Sequence, residues 1–181
     1  MQKRLLLDSQ LLQITIQRLC QQLIENHDNF SSSVILGLQP RGIFLASRIQ
    51  KVIAELEGHQ VQVGYLDTTF HRDDFRRRDL PKKASETRVP FLIENKEVIL
   101  VDDVLFTGRS ARAALDAMIS FGRPNKVELL VLIDRLYSRQ LPISANYVGR
   151  EVNTLASQHI NVSLKEQDGD DSIWLMNTEE A

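Results

Sequence analysis

The sequence predicts an α/β protein in which helices flank a parallel sheet, and three observations support this fold class. Short apolar runs with the length of buried strands recur along the chain, at Ser33–Leu38, Val98–Val101 and Val127–Ile133. Two segments with helical patterning, Gly42–Leu56 and Ser110–Phe121, separate these runs. The 181 residues are 43% hydrophobic and 25% charged, which is enough apolar material for a sizeable core. Strands that alternate with helices form right-handed βαβ units, and their ligands bind beyond the carboxyl ends of the strands.

The other elements follow from the same patterns. A first helix is predicted after Asp8 or Ser9, because either side chain can cap it. Gly58 and Gly122 are predicted to end the second and third helices. Residues 68–96 are polar and mostly aperiodic, and a connection this long is usually functional or mobile. The remaining strands are predicted at short apolar stretches: Val61–Tyr65, Tyr147–Val148, Ile160–Leu164 and Ile173–Leu175.

Composition and charge exclude several classes of protein. The absence of repeats, linkers and low-complexity tracts predicts a single domain over residues 1–181, and no apolar run is long enough to cross a membrane. The single cysteine, Cys20, cannot form an internal disulfide, which favours a cytoplasmic location. The four histidines show no ligand spacing with it, so no metal site within the protein is predicted. The net charge of −2 argues against a general polyanion binder, although residues 71–88 alone carry +3.

The strongest functional motif is Val98–Arg112, with the sequence VILVDDVLFTGRSAR. A buried strand delivers Asp102 and Asp103 at its carboxyl end, and a helix follows the Thr107–Ser110 segment. The start of that helix presents unpaired N–H groups to an anion, while the carboxylates accept hydrogen bonds from hydroxyl groups. The combination therefore predicts a clamp for a ribose 5-phosphate. Taken separately, the acid pair could be a helix cap or a divalent-metal site, and TGRS could be an ordinary helix start. Neither a Walker A motif nor GxGxxG occurs in the chain.

This motif resembles the phosphoribosyl pyrophosphate (PRPP) motif of type I phosphoribosyltransferases. Together with DTTFHRDDF and LPISANYVGREV, the longer segment TRVPFLIENKEVILVDDVLFTGRSARAALDAMISFGRP resembles the PyrR family, which combines pyrimidine operon attenuation with uracil phosphoribosyltransferase activity. The resemblance implies a type I phosphoribosyltransferase fold with a small hood built from terminal segments. It implies that Asp102 and Asp103 bind the ribose hydroxyls. It also implies that a seven-residue loop holds the 5-phosphate: Val104, Leu105, Phe106, Thr107, Gly108, Arg109 and Ser110.

Two further segments are candidates for binding the pyrophosphate group of PRPP. The first is a tight turn after a predicted strand: Gln39, Pro40, Arg41 and Gly42. On its own this turn could be a strand-to-helix connection with a solvated arginine, whereas the resemblance implies a pyrophosphate loop with Arg41 as its cation. The second is the charged run His71–Arg88, which could be a solvated face. Here the resemblance implies a lid over the pyrophosphate, with Arg72 as the candidate cation and no assignment for Arg76–Arg78.

The segment after the strand Val127–Ile133 is expected near the base. By resemblance Asp134 and Arg135 match the family's base and hood region, although alone they could form a structural ion pair. The family commonly continues with Gly-His-Arg-Glu, but this chain has LYSRQ, which is one residue longer and lacks the histidine. Arg139 and Arg150 keep the basic character and are the candidates for RNA contact.

The resemblance also implies a reaction and its partners. The expected reaction converts uracil and PRPP to UMP and diphosphate, with Mg²⁺ carried by PRPP. The candidate catalytic residues are Asp103, Arg41 and Arg72, while no spacing places Asp103 or Asp134 as a general base. The expected regulatory form is a homodimer that senses UMP or UTP and binds pyrimidine-operon mRNA. Two alternatives stay open: an RNA-binding attenuation regulator with little or no catalysis, and a phosphoribosyltransferase for a purine base.

Overall fold

The computed structural model describes residues 3–73 and 86–177 of the chain. The strands, in chain order, are β1 (Lys3–Leu7), β2 (Ser33–Leu38), β3 (Gln62–Leu66), β4 (Glu97–Leu105), β5 (Lys126–Leu136), β6 (Tyr147–Asn153), β7 (Gln158–Ser163) and β8 (Ser172–Asn177). The α-helices are α1 (Ser9–His27), α2 (Gly42–Glu57), α3 (Arg109–Met118) and α4 (Lys165–Asp168). Short 3₁₀ helices cover Thr69–His71 and Ile119–Phe121. Within the described ranges, no helix combines the length and the apolar character that crossing a membrane requires.

The predicted parallel sheet is confirmed, with five strands in the order β3-β2-β4-β5-β6. Both of its faces are covered, which explains why the strands are apolar without strict alternation. Ile35 and Ile99 belong to the cluster of buried side chains that includes residues of α1 and α2. Val34 and Val98, which point the other way, pack in the cluster that includes the alanines of α3. The sheet therefore forms the middle of three layers and holds all of its strand ends in fixed positions.

A second, smaller sheet confirms the hood. It is antiparallel, has the order β1-β8-β7, and is built from the two ends of the described chain. We call this sheet and the α4 turn the hood. Strand β1 was not predicted, because only Leu6 and Leu7 of its five residues are buried and the pattern is too short to identify. Arg48 of α2 fastens the hood to the sheet layer through Glu166 and Asp171, with nitrogen–oxygen distances of 2.5–3.1 Å.

Several boundaries differ from the predictions, and the differences matter for the site. Strand β4 runs through the two aspartates to Leu105, because Asp102 and Val104 continue the register with β5. Strand β5 likewise extends to Leu136. At the start of α1, Asp8 is the capping residue of the two candidates, and its carboxylate accepts a hydrogen bond from Leu11 N at 2.8 Å. The polar residues Asp102, Asp103, Asp134 and Arg135 therefore belong to the ends of strands β4 and β5 rather than to loops.

Candidate active site

Two adjoining cavities lie at the carboxyl edge of the parallel sheet, where the sequence predicted the chemistry. The larger, of about 360 Å³, is bounded by residues 38–41, 67–69 and 102–104. The smaller, of about 230 Å³, is bounded mainly by residues 104–111. Arg72 and Ser110 line both cavities. A ligand with two anionic ends joined by a sugar would fill such a pair of cavities, and the residues predicted to bind PRPP are brought together here.

The acid pair sits between the two cavities at the end of β4. Asp103 N donates to the Asp102 carboxylate at 2.9 Å, and Val104 N donates to the Asp103 carboxylate at 2.8 Å. Burial, together with the neighbouring charge of Asp103, raises the pKa of Asp102 well above its usual value, and the nearby charge of Arg72 opposes this rise. Two half-buried carboxylates this close repel each other, so the site is set up to accept hydrogen bonds from hydroxyl groups or a cation.

The phosphate loop, residues Val104–Ser110, turns sharply between β4 and α3. Gly108 immediately precedes α3 and has a φ of 90°, a left-handed conformation that favours glycine. The first amides of α3 therefore face the turn, with the hydroxyl groups of Thr107 and Ser110 beside them. Arg72 Nη1 donates to Ser110 Oγ at 2.8 Å. Backbone N–H groups, hydroxyl groups and a guanidinium thus converge on one small cavity, as phosphate binding requires.

The predicted pyrophosphate loop, Gln39–Gly42, closes the opposite side of the larger cavity. Gln39 N donates to Leu66 O at 3.0 Å, and the Gln39–Pro40 peptide bond is cis. The Nε of Arg41 is buried and has no hydrogen-bond partner among the described residues. Gly42 begins α2 so close to β4 that a Cβ atom there would lie 2.2 Å from Val101 O. The arrangement places an unsatisfied guanidinium N–H and a helix start beside the acid pair, which suits an anion.

One further part of this edge is the Asp67–Thr69 segment, which opens the DTTFHRDDF stretch and received no role from the sequence. These residues line the larger cavity directly after β3. Thr69 donates to the Asp67 carboxylate from both its N and its Oγ1, at 2.9 and 2.6 Å. The signal that could have found them is their place after a parallel strand, because all such ends meet at one edge. Of the basic run 71–88, Arg72 lies in the site, whereas Arg76–Arg78 lie outside the described residues.

The residues predicted near the base have other partners than expected. Asp134 and Arg135 are both buried, but they do not pair with each other. The Asp134 carboxylate pairs with Arg139, whose guanidinium also donates to the carbonyl oxygens of Leu105, Phe106, Arg135 and Ile143. All three guanidinium nitrogens of Arg139 are therefore occupied in fastening the β5–β6 connection to the phosphate loop. Its contact with RNA stays a prediction, and the structure gives it a different task.

Arg135 and Arg150 point in different directions. Arg135 lies over the ring of Phe106, with 3.8 Å from its guanidinium carbon to the ring centre. Arg150 is exposed on β6, and its Nη1 donates to Leu6 O of the hood strand β1 at 2.5 Å. Arg109, at the start of α3, turns away from the turn toward Asp73 and Gln140. The contribution of Arg109 to a phosphate site is therefore confined to its backbone.

One further cluster of polar side chains lies at the amino edge of the sheet. His27 Nε2 is 2.8 Å from Glu128, and His27 Nδ1 is 2.9 Å from Ser33 Oγ and 3.3 Å from Glu97. His27, Glu97 and Glu128 lie close enough together to hold a metal. The two ring nitrogens point in opposite directions, however, and each faces a different carboxylate. A single ion cannot replace both contacts, so the geometry favours a hydrogen-bonded network.

Comparisons with known proteins agree with the geometry of the carboxyl edge. The model of the phosphoribosyl transferase domain matches residues 4–167. A protein named "Bifunctional protein PyrR" from Desulfosudis oleivorans is 46% identical over 174 residues, which cover 96% of each chain. The relative of the same name from Thermus thermophilus is 44% identical over 166 residues, covering 92% of this chain and 91% of its own. This chain belongs to the PyrR family of phosphoribosyltransferases.

Solved structures support the fold of this PyrR-family chain. A hypoxanthine phosphoribosyltransferase from Staphylococcus aureus superposes with a TM-score of 0.67 at 20% identity, covering 98% of this chain and 92% of its own. The hypoxanthine phosphoribosyltransferase of Trypanosoma cruzi gives a TM-score of 0.70 at 13% identity, with 97% of each chain covered. At these identities the likeness shows the fold alone. The type I phosphoribosyltransferase fold expected from the sequence is thereby confirmed.

Proposed function

We propose that this phosphoribosyltransferase transfers the 5-phosphoribosyl group of PRPP to uracil. The bond from ribose C1 to the pyrophosphate oxygen breaks, a bond from C1 to uracil N1 forms, and UMP, diphosphate and the N1 proton are released. The observation that carries this proposal is the acid pair at the junction of two cavities, each lined by anion-binding groups. The choice of uracil comes from the resemblance to the PyrR family.

Each wall of the site has a proposed role. Asp102 and Asp103 accept hydrogen bonds from the ribose hydroxyls, and the phosphate loop holds the 5-phosphate. The pyrophosphate loop binds the leaving group, with Arg41 Nε as a donor that is buried and unsatisfied among the described residues. Arg72, which bridges the two cavities, balances the negative charge of both phosphate ends. These groups act by positioning and by electrostatic stabilisation of the departing pyrophosphate.

The carboxylates suit a second task at the reacting carbon. Breaking the C1–oxygen bond leaves positive charge on the ribose, and Asp103 is proposed to stabilise it. Mg²⁺ arrives with PRPP, bound mainly by pyrophosphate oxygens and water, and neutralises charge on the leaving group. Half-buried carboxylate oxygens at the cavity junction are hard donors of the type Mg²⁺ accepts. The Asp134 carboxylate pairs with Arg139, so we assign Asp134 no role as a general base.

The test is UMP formation from PRPP, Mg²⁺ and a panel of bases. Turnover of uracil, lost in an Asp102→Asn/Asp103→Asn variant, is the expected result. Turnover of hypoxanthine or guanine instead would overturn the choice of base and favour a purine enzyme. Nucleotide binding without turnover of any base would favour a regulator that keeps the fold as a sensor.

A second function, regulation through RNA, is proposed from the family and from one surface feature. The matched relatives carry the name "Bifunctional protein PyrR". Arg150 is exposed on β6, at the edge of the parallel sheet; its Nη1 donates to Leu6 O, and its other guanidinium N–H groups are proposed to contact a phosphate backbone. The proposed form is a homodimer that binds pyrimidine-operon mRNA according to its UMP or UTP occupancy. A cytoplasmic setting suits it, because the single cysteine, Cys20, cannot form an internal disulfide.

The RNA proposal has a salt-dependent test. Affinity for a folded operon RNA should fall steeply as salt rises, and Arg150→Ala should weaken it and reduce the salt slope by about one. Arg139 is the wrong residue to replace first, because its loss would disturb the phosphate loop itself. Salt-independent binding, or wild-type affinity in the Arg150→Ala variant, would overturn this site.

A further inference from the structure

The side chain of Arg135, near the carboxyl edge of the sheet, contacts both the phosphate loop and the hood. It is 7% exposed and lies near the end of β5. Its guanidinium carbon is 3.8 Å from the centre of the Phe106 ring, which belongs to the phosphate loop. On the other side, Nε donates to Thr154 Oγ1 at 3.0 Å and Nη2 donates to Gln158 O at 2.9 Å. Gln158 is the first residue of the hood strand β7.

The buried guanidinium of Arg135 is unusual because it lacks a carboxylate partner among the described residues. The neighbouring carboxylate, that of Asp134, is held by Arg139. Its compensation comes from one aromatic face and two neutral oxygens, and burial lowers the pKa of the guanidinium. A buried cation so poorly compensated gains from an anion placed in the adjoining phosphate loop. The contacts of Arg135 are therefore tied energetically to what that loop binds.

We propose that Arg135 is a positioning residue that couples the phosphate loop to the hood and so sets the gap in which the base lies. The inference rests on the proposed function, since the base must extend from the ribose toward the hood once the 5-phosphate is seated. An anion in the phosphate loop fixes Phe106, the stacked guanidinium is fixed in turn, and its donor to Gln158 O fixes the first residue of β7. Arginine is suited to this task because its planar group can stack and donate at once, which lysine cannot do.

Arg48 provides a matched control within the same chain. It too is an arginine that fastens the hood, through Glu166 and Asp171. It does so from the middle of α2, and among the described residues its side-chain hydrogen bonds go only to Glu166 of α4 and to Asp171, just before β8. Arg48→Lys therefore weakens the attachment of the hood without touching the phosphate loop, whereas Arg135→Lys breaks the link between the two.

The kinetic test compares Michaelis constants for the two substrates. Arg135→Lys should raise the KM for uracil about tenfold, with the KM for PRPP changed less than about twofold, because the acid pair and the loop amides still hold PRPP. Phe106→Leu removes the ring that stacks on the guanidinium and should raise the KM for uracil by a similar factor, and the double variant should raise that KM little more than either single change. Arg48→Lys should leave both KM values near wild type. Equal rises in both KM values, or additive effects of the two substitutions, would overturn the proposal.

Hydrogen–deuterium exchange separates this inference from the proposed function. In the wild type, UMP should slow exchange at residues 104–110 and also at 158–163. In Arg135→Lys the first protection should remain and the second should be lost, while Arg48→Lys should keep both. If Arg135→Lys does not fold, Thr154→Ala replaces it in the experiment. Thr154→Ala removes one hydrogen bond of Arg135 and should reduce the protection of residues 158–163. Full protection of 158–163 in both Arg135→Lys and Thr154→Ala overturns the coupling. No protection of 104–110 in the wild type overturns nucleotide binding and the coupling with it.

Discussion

The two edges of the parallel sheet both carry ionisable side chains that are shielded from solvent. These side chains are paired at the amino edge and incompletely paired at the carboxyl edge. At the amino edge, His27 contacts Glu97, Glu128 and Ser33, and Glu128 is also 2.8 Å from Lys126. At the carboxyl edge, Asp102 and Asp103 lie side by side, and Arg41 Nε has no partner among the described residues. The charged side chains of the amino edge pair with one another, whereas the carboxyl edge opens into two cavities.

The difference shows that incompletely paired polar groups lie beside the cavities of the carboxyl edge. A buried polar group without a partner lowers stability, and a ligand that supplies the partner restores that loss. The carboxyl edge combines repelling carboxylates, an unsatisfied guanidinium nitrogen and the left-handed Gly108. In the proposed function, PRPP supplies hydroxyl groups for the carboxylates and phosphate oxygens for the guanidinium. At the amino edge the side chains pair with one another, so we expect them to contribute to stability.

The largest expected effect is on the carboxyl edge. Asp103→Asn should lower kcat/KM for UMP formation at least about 100-fold, roughly 2.7 kcal/mol of transition-state stabilisation, because the carboxylate faces the reacting ribose. Initial rates at varied PRPP would measure this. The melting temperature should stay within a few degrees of wild type, and a rate close to wild type would remove Asp103 from the site.

The next effect is on the amino edge, where a substitution should lower stability without changing activity. His27→Ala leaves Glu128 buried with fewer donors, so the free energy of unfolding should fall by about 2 kcal/mol. Urea denaturation would measure it. Lys126→Met, which removes the exposed partner of the same carboxylate, should cost far less. A large loss of kcat/KM in folded His27→Ala protein would break the division between the two edges.

A smaller effect is expected at the turn of the phosphate loop. Gly108→Ala puts a Cβ atom at a φ of 90° and 3.3 Å from the Ile143 Cβ, which should cost about 1 kcal/mol of stability. The KM for PRPP should rise in parallel, because the amides of the loop shift. Chemical denaturation and PRPP titration would measure the two effects. Unchanged PRPP affinity would show that the loop geometry is not tuned to the phosphate.

The smallest effect is a gain in stability, caused by replacing Asp102. The native pKa of Asp102 is raised above the ordinary 3.8, so ionising this carboxyl costs the folded state stability as pH rises above that value. Asp102→Asn stays neutral and should raise the melting temperature of the ligand-free protein by about 2 °C at pH 7. The difference should vanish below about pH 3.8, where both states of the wild type bind the proton. A lower melting temperature for the variant would show that Arg72 already compensates Asp102.

Much of this contrast was readable from the sequence, and the missing parts have physical causes. The five strands of the parallel sheet and the motif Val98–Arg112 were predictable because apolar runs, glycines and acids carry local signals. Strand β1 gave no such signal, because its pairing with β8 joins residues far apart in sequence. The partners of Asp134 and Arg135 were missed for the same reason. Neighbouring opposite charges suggest an ion pair, but successive residues of a strand point to opposite faces.

The most direct test of the contrast is calorimetric binding of Mg²⁺·PRPP to three proteins. The wild type and His27→Ala should bind it with similar affinity, since the amino edge does not contact the ligand. Asp102→Asn/Asp103→Asn should bind at least about 100-fold more weakly, because each substitution removes a negative charge and replaces one acceptor oxygen by a donor NH₂ group. Wild-type affinity in the acid-pair variant would contradict the account, and so would weakened binding in folded His27→Ala protein.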